Sequence, residues 1–130
     1  MTVRDQLIDL SKALRQYHSV LLEHSKREYE VKFEPISSPF AYFQLVVNHP
    51  HFHWLRPLSG LMATLDEVID AKAPLTEQNL MDAHKALAML FSPVENTFAE
   101  FRQEYVRFKD FSDVKFAEAR WRALIEETLN

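Results

Sequence analysis

Histidine and carboxylate side chains are the groups in this sequence whose spacing could hold a metal or move a proton. His24 and Glu28 lie four residues apart, so on a helix they share one face. A His and a Glu facing the inside of a helical bundle are the raw material of carboxylate-rich metal sites. His84 would serve as a third ligand and Asp66 as a fourth. The paired Glu-x-x-His motifs of ferritin-like di-iron sites are missing, and a metal needs three or more converging ligands. The plainer expectation is that the apolar face frays here and both groups meet water. The assignment is therefore no metal and no cofactor, with His24, Glu28 and His84 as the alternative ligand set.

His49, His51 and His53 alternate before Trp54. On a strand they would share a face and could hold zinc or nickel. On a helix residues two apart point about 200° apart, and His49 would sit at the cap. Surface histidines near a helix start are the favoured reading.

Nucleotide and acyl-transfer chemistry lacks its parts. The chain has no cysteine, which removes thiol nucleophiles, disulfides, iron–sulfur clusters and thiolate zinc sites. Its single glycine, Gly60, argues against Rossmann and P-loop phosphate cradles, which need several. There is no Gly-x-Ser-x-Gly elbow. No catalytic residue is assigned, and the balance is against an enzyme.

The most specific stretch is Trp54–Leu55–Arg56–Pro57–Leu58–Ser59–Gly60. Proline inside a helix removes a hydrogen bond and strikes the carbonyl four residues back, here that of His53, at a cost of ~3 kcal/mol. Gly60 adds about 1 kcal/mol relative to alanine. Two helix breakers so close mark a kink, a close helix approach or a site. Trp54, Arg56, Pro57 and Gly60 are therefore the candidate binding residues, set against the plainer reading of a structural kink. Arg56 is expected to be buried, its donors on the freed His53 carbonyl or on Glu28 or Glu30.

These residues need elements to carry them. Thr2, with Asp5 three residues on, is a weak capping box. Val3, Leu7, Leu10, Leu14, Tyr17 and Leu21 then form one stripe, continued through His24, Glu28 and Val31. A helix from residue 3 to about 30 is ~42 Å long, against a radius of gyration near ~14 Å for a compact domain of this size, so elongation is expected. Ser38–Pro39 opens a short second helix through Phe40, Phe43, Leu45 and Val47. Asn48–His49–Pro50 breaks the chain and starts a third, striped by Trp54, Leu58, Leu61, Leu65 and Val68, to about Asp70. Thr76 caps a fourth with Leu80, Ala83, Leu87 and Leu90. Ser92–Pro93–Val94–Glu95 reads as the start of a fifth, carrying Val94, Phe98, Phe101, Tyr105 and Phe108. Ser112 or Asp113 caps the last, with Val114, Ala117, Trp121, Leu124 and Ile125 inside. The aromatic run from Phe98 to Phe111 could line a haem or lipid pocket but is more simply core, with Tyr17 and Trp121 as packing partners. The expected fold class is all-α: one domain over residues 1–130, an elongated antiparallel helical bundle of four main helices plus one or two short ones.

Composition agrees. A chain of 130 residues with 47% hydrophobic and 26% charged side chains suits one ordered globular domain. The formal net charge is −4 and no basic stripe appears, which argues against nucleic acid as a partner. No apolar run approaches the ~18 residues of a membrane span. Met1 to Gln6 begins an amphipathic pattern and not a signal peptide, so a soluble cytoplasmic protein is expected.

His18–Ser19–Val20–Leu21–Leu22, Tyr29–Glu30, Ser38–Pro39 and the run from Pro50 through Trp54–Leu55–Arg56–Pro57–Leu58–Ser59 resemble a family of small bacterial helical proteins. Its members carry an Asp-Pro-x-Phe-x-Trp-Leu-Arg-Pro-Leu-Ser core and no assigned activity. His49 stands where the family has Asp, which weakens the cap expected before Pro50. The resemblance covers residues 14 to 70 and implies a bacterial cytoplasmic protein with an all-α fold; it implies no reaction. The function expected is a non-catalytic interaction or regulatory module with a protein partner, a homodimer being compatible with it. The alternatives are a metal-binding bundle using His24, Glu28 and His84, and a carrier gripping a small apolar ligand beside Trp54 and the phenylalanine stripe.

Overall fold

Thr2 opens the chain with a reciprocal cap: its Oγ1 accepts the Asp5 amide at 3.1 Å, and Asp5 Oδ2 accepts the Thr2 amide at 3.2 Å. In the computed structural model, which describes residues 1–94 and 96–129, α1 then runs over Val3–Lys32. Thirty residues make it ~45 Å long, the longest stave. Its buried side chains are Leu7, Leu10, Ser11, Ala13, Leu14, Tyr17, Leu21, Ser25 and Tyr29. At 3.6 residues per turn Ser25 lies five turns beyond Leu7. A straight helix therefore carries the inner face from Leu21 onto Ser25 and Tyr29, not onto the expected His24, Glu28 and Val31. Val31 is exposed.

Ser38 Oγ accepts the Ala41 amide at 3.1 Å and starts α2, Pro39–Asn48. A 3-10 helix, Pro50–Leu55, leads into α3, Arg56–Asp70. α4 spans Glu77–Phe91, α5 Ala99–Tyr105 and α6 Ser112–Leu129. No strand occurs among the described residues. α1, α3, α4 and α6 are the main staves; α2 and α5 are short.

Cross-links give the directions. Arg4 donates to the Ile69 carbonyl, Ser11 Oγ to Asp66 Oδ1 at 2.7 Å, and Trp54 Nε1 to Ser25 Oγ at 3.4 Å. Numbers rise along α1 as they fall along α3 and the 3-10 helix, so these elements are antiparallel. Arg120 Nη1 to Gln16 Oε1 (2.8 Å) and His24 to Asp113 (2.8 Å) show the same for α1 and α6. The core between the staves joins Leu14, Tyr17, Leu21, Leu58, Phe101 and Trp121. Tyr17 lies 5.8 Å from the Trp121 ring and 6.0 Å from the Tyr105 ring, so the aromatic run is core as expected as far as Phe108. Phe111 is exposed.

Two further expectations are corrected. The third helix is not α-helical from Pro50. Residues Pro50–Leu55 wind as 3-10, with the Phe52 amide on the His49 carbonyl at 3.1 Å and the Arg56 amide on that of His53. This places Pro57 in the first turn of α3, where its missing N–H has no intrahelical partner to lose. The kink penalty disappears, and the His53 carbonyl is occupied, not freed. The second correction concerns the fifth helix, which starts at Ala99 and not at Ser92. Ser92 instead ends α4, its amide donating to the Met89 carbonyl at 3.4 Å. Val94 is 88% exposed and anchors no first turn. Glu95 of the expected start signal lies outside the described residues. No described helix is long and apolar enough to cross a membrane.

Candidate functional site

The candidate binding residues separate into two environments. Trp54 is core: its indole stacks on Phe108 at 5.3 Å and 4°, sits 5.5 Å from Phe101, and donates to Ser25 Oγ. Arg56 is exposed, contrary to expectation. Its Nη2 donates to the Val47 carbonyl at 2.9 Å and lies 3.1 Å from His53 Nε2. Glu28 and Glu30 are engaged elsewhere, the latter accepting the Ile36 amide at 3.0 Å. Arg56 begins α3 beside the end of α2, so its long side chain reaches solvent and the last turn of that short helix.

Pro57 and Gly60 instead face a cleft of about 460 Å³ between α3 and α4. Its walls are apolar, with Leu61, Leu65 and Val68 opposite Ala83, Ala86 and Leu90, and Phe98 contributing from the turn before α5. Its volume and lining match those of small-molecule pockets, which are mostly apolar with a few placed polar groups. The polar groups here are Thr64, Asn79 and Asp82.

The metal alternative finds no support in the geometry. His24 Nε2 lies 2.8 Å from Asp113 Oδ1, and its ring stacks on Phe111 at 4.0 Å. That hydrogen bond holds the Asp113 carboxyl below the usual carboxylate range. Glu28 belongs to a different cluster. Arg107 grips it with Nε on Oε2 at 3.0 Å and Nη2 on Oε1 at 2.9 Å, and Lys32 Nζ lies 3.5 Å from Oε1. Partial burial works to raise the Glu28 carboxyl, but the Arg107 and Lys32 contacts outweigh it and hold it low. His51 Nε2 donates to the Ser25 carbonyl at 2.8 Å and is 3.8 Å from Glu28, too far for a second bond. Burial lowers the His84 imidazole from its ordinary value. Asp66 accepts Ser11. Among the described residues no group of three or more His, Asp or Glu side chains could hold a metal ion.

The alternating histidines likewise go to separate partners. His49 Nδ1 accepts the His51 amide at 3.1 Å and so does the capping work that an aspartate would do before Pro50.

A search against protein families, curated proteins and solved structures finds no match to this chain.

One feature that the helix stripes do not reveal is the outer face of α2. This helix has no charged residue and no buried one. Its inner positions, Ala41, Tyr42, Leu45 and Val46, are half-buried against the 3-10 helix, with the Tyr42 ring 6.1 Å from Phe52 and Lys26 Nζ 5.1 Å above it. Burial, helped by Glu23 and Glu30, pushes the Tyr42 phenol up to about 12. Outward stand Phe40, Phe43 and Val47, 69%, 63% and 46% exposed. Their i, i+3, i+7 spacing makes one apolar face, roughly 300 Å² if a phenylalanine presents ~200 Å². The signal was available in the composition: a ten-residue helix with no charge and only Gln44 and Asn48 as amide side chains carries apolar residues on more than one face, and more than one face then needs cover.

Proposed function

We propose that the chain is a non-catalytic interaction module that docks through the outer face of α2, and that its partner is a protein: a second copy of itself. The observation that carries this is the exposure of Phe40, Phe43 and Val47 on a helix with no buried residue. A contiguous apolar face is costly to leave in water and marks contact surfaces. A second copy suits it because α2 brings no charge to the contact. Two faces can meet about a two-fold axis without opposing like charges, although each chain carries −4. Three side chains from each copy supply roughly 600 Å², well under the ~1,200 Å² lower bound of stable interfaces, so the contact is weak and reversible. That suits regulation better than permanent assembly. The bacterial cytoplasmic setting rests on the family resemblance of residues 50–59.

Sedimentation from low to several hundred micromolar tests the reading. The wild type should pass from monomer to dimer, and the doubly substituted Phe40→Ser/Phe43→Ser chain should stay monomeric. A wild type that is monomeric throughout, or a dimer that survives the double substitution, overturns it.

A further inference from the structure

Nothing in the fold requires a glycine at position 60. Its φ is not positive, and a Cβ built on it meets no atom within 4 Å beyond its own helix backbone and chain neighbours. Neither backbone strain nor a close helix approach accounts for a residue that, proline apart, is the poorest helix former. What a side chain there would do is enter the α3–α4 cleft that Gly60 lines. Across the cleft Ala83 and Ala86 are also small. Missing side-chain bulk on both walls keeps the cleft open. We infer that this cleft is a binding site for a small molecule with an apolar body and one positively charged group.

The apolar body follows from the walls. The charge follows from the polar groups. Among the described residues Asp82 is the single charged one in the lining. It accepts Gln78 Nε2 on Oδ1 at 2.8 Å and has no ion-pair partner among the described residues. Thr64 donates its hydroxyl proton to the Gly60 carbonyl at 3.1 Å, so its oxygen keeps lone pairs. Among the described residues no Lys, Arg or His lines the cleft to receive an anion. Met89 gives one wall that can reshape around the guest. The cleft lies on α3 and α4 and not on α2, so this inference is independent of self-association.

Hexylamine, hexanol and hexanoate, titrated separately into the full chain and followed by amide NMR shifts, test it. Hexylamine should move α3 and α4 amides around Gly60 and Asp82, and should bind about fivefold tighter than hexanol, the scale of one exposed charge pair. Hexanoate should bind weakest. Asp82→Asn should erase the preference for the amine while hexanol binding persists. Gly60→Leu should abolish binding of both, with its thermal melt confirming a folded chain. Hexanoate binding as tight as hexylamine, shifts that fall outside α3 and α4, or undiminished binding in Gly60→Leu would each overturn the inference.

Discussion

Glu28 and Arg107, 79 residues apart in sequence, meet in a two-pronged ion pair with N–O distances of 2.9 and 3.0 Å. It ties the last turns of α1 to the segment after α5, where Arg107 also pairs with Glu104 and its guanidinium carbon lies 5.1 Å above the Phe108 ring. A bidentate guanidinium–carboxylate contact is the strong form of such a bond. Solvent reaches it, with 20% of Glu28 and 39% of Arg107 exposed, and weakens it. In urea at neutral pH, Glu28→Gln should cost about 1 kcal/mol, and a cycle with Arg107→Gln should return a coupling of about the same size. A coupling near zero would reduce the pair to a surface contact.

The acid branch of stability follows from the shifted groups. Burial lowers the His18 and His84 imidazoles from their ordinary 6.5. The unfolded chain therefore takes up those protons first, and the stability these groups hold above 6.5 is lost as pH falls below it. Glu28 and Asp113 are held below ordinary values of 4.5 and 3.8. Their contribution is present above those values and is lost as pH falls further. Urea midpoints should thus decline in two stages, one starting near neutrality and one in the carboxylate range. His18→Gln should shrink the first stage. A midpoint that stays flat from about pH 7.5 to about pH 5 would show that neither imidazole is coupled to folding.

Arg56 shows where reading the sequence stops. Local chemistry was legible: the Thr2–Asp5 and Ser38 caps form because their partners lie within one turn. The inner face of α1 was legible as far as Leu21, until a stripe read at 3.5 residues parted from a helix that turns at 3.6. Ser92–Pro93 misled because proline follows the end of a helix as commonly as it opens one, and here it stops α4 just past Ser92. Pro57 and Gly60 share one seven-residue run with Trp54 and Arg56, but sequence adjacency cannot tell the core from the cleft or from solvent. The packing of the 3-10 helix sends Trp54 inward, and the start of α3 leaves Arg56 outside. Arg56→Ala should accordingly cost about 0.5–1 kcal/mol, one partly solvated bond to the Val47 carbonyl, and not the ~3 kcal/mol of a buried pair. Chemical denaturation decides between the two.

The ten phenylalanines should divide sharply by burial. Phe101 is fully buried between Trp54, Phe91 and Tyr105. Phe101→Ala should cost about 3–5 kcal/mol. Phe40→Ser and Phe43→Ser, on the open face of α2, should each stay within about 0.5 kcal/mol of the wild type when measured at concentrations where the chain is monomeric. A large loss in either would mean that α2's outer side is covered within the monomer.

Gly60→Ala is the substitution expected to stabilise. The position lies one turn inside α3, its φ is not positive, and the added methyl meets no atom within 4 Å beyond its own helix backbone and chain neighbours. The folded state therefore pays nothing for the new Cβ. The unfolded chain loses backbone freedom, and alanine is the better helix former by about 0.8–1 kcal/mol. For a domain of this size that corresponds to a rise in Tm of roughly 3–5 °C. Had Gly60 served a close helix approach, the same methyl would overpack the contact and cost about 1–3 kcal/mol. The two accounts differ in sign, so a single melting curve separates them. A lowered Tm would show that α3 and a neighbour come closer at Gly60 in solution than the open cleft permits, and a raised one would show that the glycine is kept at the expense of stability.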